Sequence, residues 1–124
     1  MTRFALVIAI ALAAGCDDGT PTGSTCPTSN APTYGSFGQV FFTKYCASCH
    51  SSSAANRNGA PDDFNFDTEA EIKQHAADID TEAASGPKAT NTAMPELDAD
   101  VPQGPSMDDR VLLGQFLACE EQSN

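Results

Sequence analysis

The chain has no tryptophan, two tyrosines, two histidines and only 6 basic residues against 17 acidic ones among its 124. A formal charge of −11 excludes a nucleic-acid-binding surface, because phosphates call for lysine and arginine. A membrane-spanning helix needs about 20 apolar residues; the run Phe4 to Ala14 supplies 11. Seven Phe and two Tyr make a small core, and 9 Gly with 8 Pro promise long loops. The length suits one small domain. Such a domain often needs a staple: a metal, a disulfide or a cofactor. The 5 cysteines are where to look for it.

The first residues, MTRFALVIAIALAAGC, place Arg3 before the apolar run and Ala13-Ala14-Gly15 before Cys16. That order resembles a bacterial lipoprotein signal, with residues 1–15 as the signal peptide. The resemblance implies that Cys16 is lipidated and becomes the new N-terminus, held on the periplasmic side of a bacterial membrane. Asp17 resembles an inner-membrane retention signal, and inner against outer membrane stays open. The alternative is an ordinary secretory signal cleaved nearby. Either one exports the chain to a compartment where disulfides persist. Loss of Arg3 leaves 5 basic and 17 acidic residues, or −12. Residues 16–33 comprise the lipidated Cys and a stretch of Gly, Pro, Ser, Thr and Asp without a large apolar residue. They predict a flexible tether reaching roughly 20–25 Å.

Residues 34–124 carry the periodic structure and predict an all-α domain of about three to four helices with long loops. Phe37, Val40, Phe41, Phe42 and Tyr45 fall at helical spacing, giving a first helix over 38–46. Thr68-x-x-Glu71 is a capping box. Ile72, Ala76 and Ile79 then form one stripe, giving a helix over 69–80. Asp108 and Asp109 suit a helix start, ahead of Val111, Leu112, Phe116, Leu117 and Cys119.

The chemistry lies in Cys46-Ala-Ser-Cys49-His50. C-x-x-C-H is the attachment motif of c-type haem: two thiols add to the porphyrin vinyl groups and the adjacent imidazole reaches the iron. Two rivals share its residues. A thioredoxin-like pair needs a βαβ setting, which this pattern lacks. A structural zinc site would need a fourth ligand and an awkward adjacent Cys-His pair.

With Gly38 and Phe42 ahead of the motif and Arg110-x-x-Leu113-x-x-Phe116-Leu117 after it, residues 35–119 resemble the class I cytochrome c family. The resemblance implies a small all-α domain wrapped around one covalent haem c. It also implies that Gly38 in the first helix meets Phe116 in the last. Cys119 and the long acidic loop before the last helix depart from the family pattern.

Met94-Pro95 resembles the family's distal-ligand motif, which implies Met94 as the second iron ligand opposite His50. Met107 and His75 are the competing candidates; His75, among polar neighbours, otherwise reads as a solvated surface side chain. Gly59-Ala60-Pro61 resembles the loop whose proline carbonyl accepts the proximal histidine's other ring N–H, which implies that role for Pro61. The alternative is a plain turn. Phe64 and Phe66 read as walls of the haem or core, and Arg57 and Lys88 as candidates to neutralise propionates. Cys26 and Cys119 remain, and two spare cysteines in an oxidising compartment suggest a disulfide. Its rival is a buried free Cys119 with a reactive Cys26.

The resemblance implies a membrane-tethered monohaem electron carrier with no enzymatic activity. Its acidic field suits redox partner proteins with basic docking surfaces. The alternatives are a redox or gas sensor with a displaceable Met ligand, and a zinc-binding lipoprotein.

Overall fold

The computed structural model describes residues 19–123. The signal sequence and Cys16 lie outside the described residues. These are all-α: a π-helical turn, Tyr34–Gly38, runs into α1, Gln39–Tyr45, followed by α2, Ala47–His50, α3, Glu69–Gln74, α4, Ala76–Ala83, and α5, Met107–Gln122. An isolated bridge between Ser85 and Thr90 is the extended pairing among them. Among the described residues no helix is long and apolar enough to cross a membrane.

Three of the starts are capped by side chains. Thr33 and Ser36 form a reciprocal capping box ahead of the π-helical turn, so the first helix begins four residues before the predicted Gly38. Thr68 accepts from the Glu71 amide while Glu71 reaches back to the Thr68 amide, as the spacing predicts. Ser106 caps α5 by accepting from the Asp109 amide at 3.1 Å, and Asp108 and Asp109 oppose the helix dipole's positive end. The predicted helix over 69–80 is broken at His75, whose backbone (φ −109°, ψ 17°) leaves the helical region. This break separates α3 from α4.

The core gathers Phe41, Phe42, Tyr45, Phe66, Ile72, Ile79, Leu113, Phe116 and Leu117. Phe116 lies beside Phe37 and Phe42, with ring centroids 6.2 and 6.3 Å away. On its other side it meets Gly38, where a Cβ would stand 2.9 Å from its Cζ. Only a residue without a side chain lets the first helix approach α5 this closely. Removing a buried phenylalanine of this kind costs about 3–5 kcal/mol.

The flexible tether predicted for residues 16–33 is corrected over 19–33. Thr22 is 0 % exposed. Its amide and hydroxyl donate to the two carboxylate oxygens of Asp80 at 2.8 and 2.6 Å, and its carbonyl accepts from the Lys88 amide at 2.9 Å. Asn91 Nδ2 donates to the Thr20 carbonyl at 2.8 Å. Gly114 in α5 clears the way, since a Cβ there would strike the Ser24 side chain and the Ser85 carbonyl. Cys26 and Cys119 form a disulfide that ties this strap to α5. Backbone and hydroxyl hydrogen bonds hold the strap, which is why apolar periodicity does not reveal it.

Candidate functional site

The Cys46-Ala-Ser-Cys49-His50 motif follows directly from α1. Cys46 leaves the helical region (φ −121°, ψ −36°), and its amide still donates to the Phe42 carbonyl. Its own carbonyl accepts from the His50 amide at 2.8 Å and the Cys49 amide at 3.2 Å. One turn, α2 with Cys46 as its N-cap, thus presents all three motif residues. The i, i+3 and i+4 spacing puts them along one face. Both thiols are free and half-buried. Burial pushes the Cys46 thiol up to about 12, and the neighbouring Cys49 adds to the effect.

His50 is held at two places. Its ring stacks on Phe66 with centroids 4.6 Å apart and planes 20° apart. Its Nδ1 lies 2.9 Å from the Phe64 carbonyl oxygen. A carbonyl only accepts, so Nδ1 carries the hydrogen and Nε2 presents a lone pair. Burial lowers the His50 pKa, and the nearby Arg57 charge acts in the same direction; the Phe64 bond opposes them. Burial thus favours the neutral imidazole, the form in which histidine binds a metal.

The expected partner of that N–H was Pro61, and the structure corrects it to Phe64. The Pro61 carbonyl is taken by Arg57 Nη2 at 2.6 Å and by the Phe64 amide at 3.1 Å. That turn brings the Phe64 carbonyl to His50. Arg57 is corrected too: it does not stand free for a propionate. It also donates to the Ser51 carbonyl at 2.7 Å, Asn65 Oδ1 at 2.8 Å and the Phe64 carbonyl at 3.2 Å. It thereby knits residues 51–65 into one loop beside His50. Lys88 is exposed and packs over Gly23 in the strap.

Met94 is half-buried and packs, with Cys46 and Phe64, against the same core cluster. Its amide donates to the Glu82 carbonyl at 2.9 Å, and the Met94–Pro95 peptide is cis. The loop beyond it reaches the motif: Asn58 Nδ2 donates to Cys49 Sγ at 3.3 Å and to Asp98 Oδ2 at 3.1 Å. Met107 is 53 % exposed at the start of α5. His75 is buried rather than solvated. Its ring stacks on Phe64 at 4.1 Å, and its Nε2 lies 3.1 Å from the Asp63 carbonyl. The break between α3 and α4 turns it inward. Cys16, the expected lipid site, lies outside the described residues.

Sequence reasoning missed two contributors. The Phe64 carbonyl has no signature, because backbone acceptors are invisible to residue type. Arg110 had one: it shares the stripe of Leu113 and Leu117 on α5 and is buried with them.

Among the described residues no three His, Cys, Asp or Glu side chains converge as a bare metal ion requires. Compared with protein-family models, with curated proteins and with solved structures, the chain matches none.

Proposed function

We propose that this chain is a membrane-tethered monohaem c-type electron carrier. Cys46 and Cys49 would hold a haem through thioethers, and His50 and Met94 would bind its iron. The observation that supports it best is the state of His50. Its Nδ1 is committed to a backbone carbonyl, its plane is set by Phe66 and its Nε2 is left as a lone pair. Such outer partners fix the tautomer and raise the basicity of a metal-bound imidazole. The cysteine pattern agrees. Cys26 and Cys119 are joined, while the motif's own pair stays free though only three residues apart. Thiols set along a face suit two attachment points on a planar group better than one convergent ion.

When bound, the haem supplies one-electron oxidation and reduction, and a methionine ligand raises its potential. The chain's residues do the rest. Arg57 braces the proximal loop, His50 offers Nε2, Phe66 walls the ring, and the Met94 loop closes against the motif through Asn58 and Asp98. A charge of −12 after removal of residues 1–15 gives fast, salt-sensitive docking to partners with basic surfaces. Lipid on Cys16 would keep the carrier at the periplasmic face of a bacterial membrane.

Visible spectra of protein exported from a host that matures c-type cytochromes test this reading. A reduced spectrum of thioether-linked haem and an oxidised sulfur-to-iron band, the latter lost in Met94→Ala, are expected. Colourless protein from such a host contradicts it.

A further inference from the structure

Arg110 is a buried cation on α5, and its Nη1 donates to the carbonyls of Ala83 at 2.6 Å, Met94 at 2.9 Å and Asn91 at 3.1 Å. The three acceptors belong to one segment. Ala83 closes α4, Asn91 follows the Ser85–Thr90 turn, and Met94 stands at its far end. The grip is returned, since the Arg110 carbonyl accepts from the Ser85 amide at 3.0 Å. With the Met94 amide bound to Glu82, the residue's N–H and C=O are both fixed. The outgoing limb closes over the same guanidinium: a Cβ on Gly104 would stand 3.7 Å from Arg110 Nη2. A guanidinium keeps its charge throughout the working pH range. Releasing a carbonyl from it means leaving part of a buried charge unsatisfied.

We propose that Arg110 is a positioning residue for the distal iron ligand: by clamping the Ala83, Asn91 and Met94 carbonyls it keeps the Met94 loop closed. This rests on the reading of Met94 as an iron ligand. The clamp acts on the loop's open-to-closed ratio. Losing one charge-assisted hydrogen bond shifts such a ratio about ten- to a hundredfold.

The test compares haem-loaded wild type with Arg110→Lys, Arg110→Met and Leu117→Ala. The last is a core truncation on the same helix that lowers stability and removes no hydrogen bond to the loop. Both Arg110 variants are expected to keep covalent haem with its His-ligated spectrum. They should weaken the sulfur-to-iron band, and ferrous protein should bind carbon monoxide roughly ten- to a hundredfold more readily than wild type. Lysine should do less damage than methionine, and Leu117→Ala should leave the band and the carbon monoxide resistance as in wild type. Arg110 variants with unchanged band and carbon monoxide binding, or changed no more than Leu117→Ala, overturn the proposal. Failure of the underlying reading looks different: wild type itself then lacks haem, or its band survives Met94→Ala. Should both Arg110 variants fail to accumulate, Asn91→Ala, which loosens the same segment, must weaken the band for the proposal to stand.

Discussion

Gly38 lies under the ring of Phe116, with Phe116 Cζ 2.9 Å and Tyr34 Cδ2 3.2 Å from where a Cβ would stand. The first helix and α5 therefore cross at a distance that only glycine allows, and the phenylalanine fills the notch it leaves.

Gly38→Ala should accordingly cost about 1–3 kcal/mol, the usual penalty of overpacking a filled core. Phe116→Leu in the same chain should recover part of that loss, because the two sites share one space. Urea unfolding of the two single variants and the double variant measures the coupling. Strict additivity would show that the two sites do not share that space.

The crossing shows what was legible beforehand. Gly38 and Phe116 were paired through the resemblance, the Thr68–Glu71 capping box through spacing, and Cys26–Cys119 by setting aside the other cysteines. All three depend on residue type, which sequence displays. The parts that escaped depend on the backbone. Thr22 is buried because its amide, hydroxyl and carbonyl all find partners, and nothing in Thr-Gly-Ser-Thr announces that. Pro61 lost its expected role to Phe64 because Arg57 occupies the Pro61 carbonyl. His75 is buried because the chain breaks there, so its polar neighbours in sequence are not its neighbours in space.

Arg57 braces the loop beside His50 through the Ser51, Pro61 and Phe64 carbonyls and Asn65. Arg57→Gln should lower stability by about 1.5–3 kcal/mol, the scale of hydrogen bonds from a charged donor. Hydrogen exchange should report it locally. The Phe66 amide, bonded to the His50 carbonyl at 2.7 Å, should lose protection before the amides of α5 do.

The disulfide joins residues 93 apart in sequence. Closing a loop of that size stabilises by about 4–5 kcal/mol in the chain-entropy model. Cys26→Ser with Cys119→Ser should lose most of that stability. It should also free the strap, seen as faster exchange at the Thr22 and Lys88 amides. If those amides stay protected, the Asp80 and Asn91 bonds hold the strap unaided.

Glu120 gives a pH signature. Its burial, reinforced by Glu69 and opposed by Lys73, raises the carboxyl above its ordinary value of 4.5. The folded chain then keeps this proton to higher pH than the unfolded chain. The contribution is full below the ordinary value and is lost as pH rises through the raised one. Glu120→Gln should therefore leave thermal stability near pH 4 unchanged. At pH 7 it should raise stability by about 0.3–1 kcal/mol, the scale of removing a negative charge from a helix C-terminus. Melting curves at the two pH values check it; an equal change at both would contradict this origin.

The account rests on a covalent bond between the chain and a porphyrin, and intact mass spectrometry tests it most directly. Protein exported from a host that matures c-type cytochromes should carry the mass of one haem beyond that of its processed chain and any lipid on Cys16, and Cys46→Ala with Cys49→Ala should remove that increment. Wild-type protein without the haem increment, from a host that loads a known cytochrome in parallel, would contradict the account.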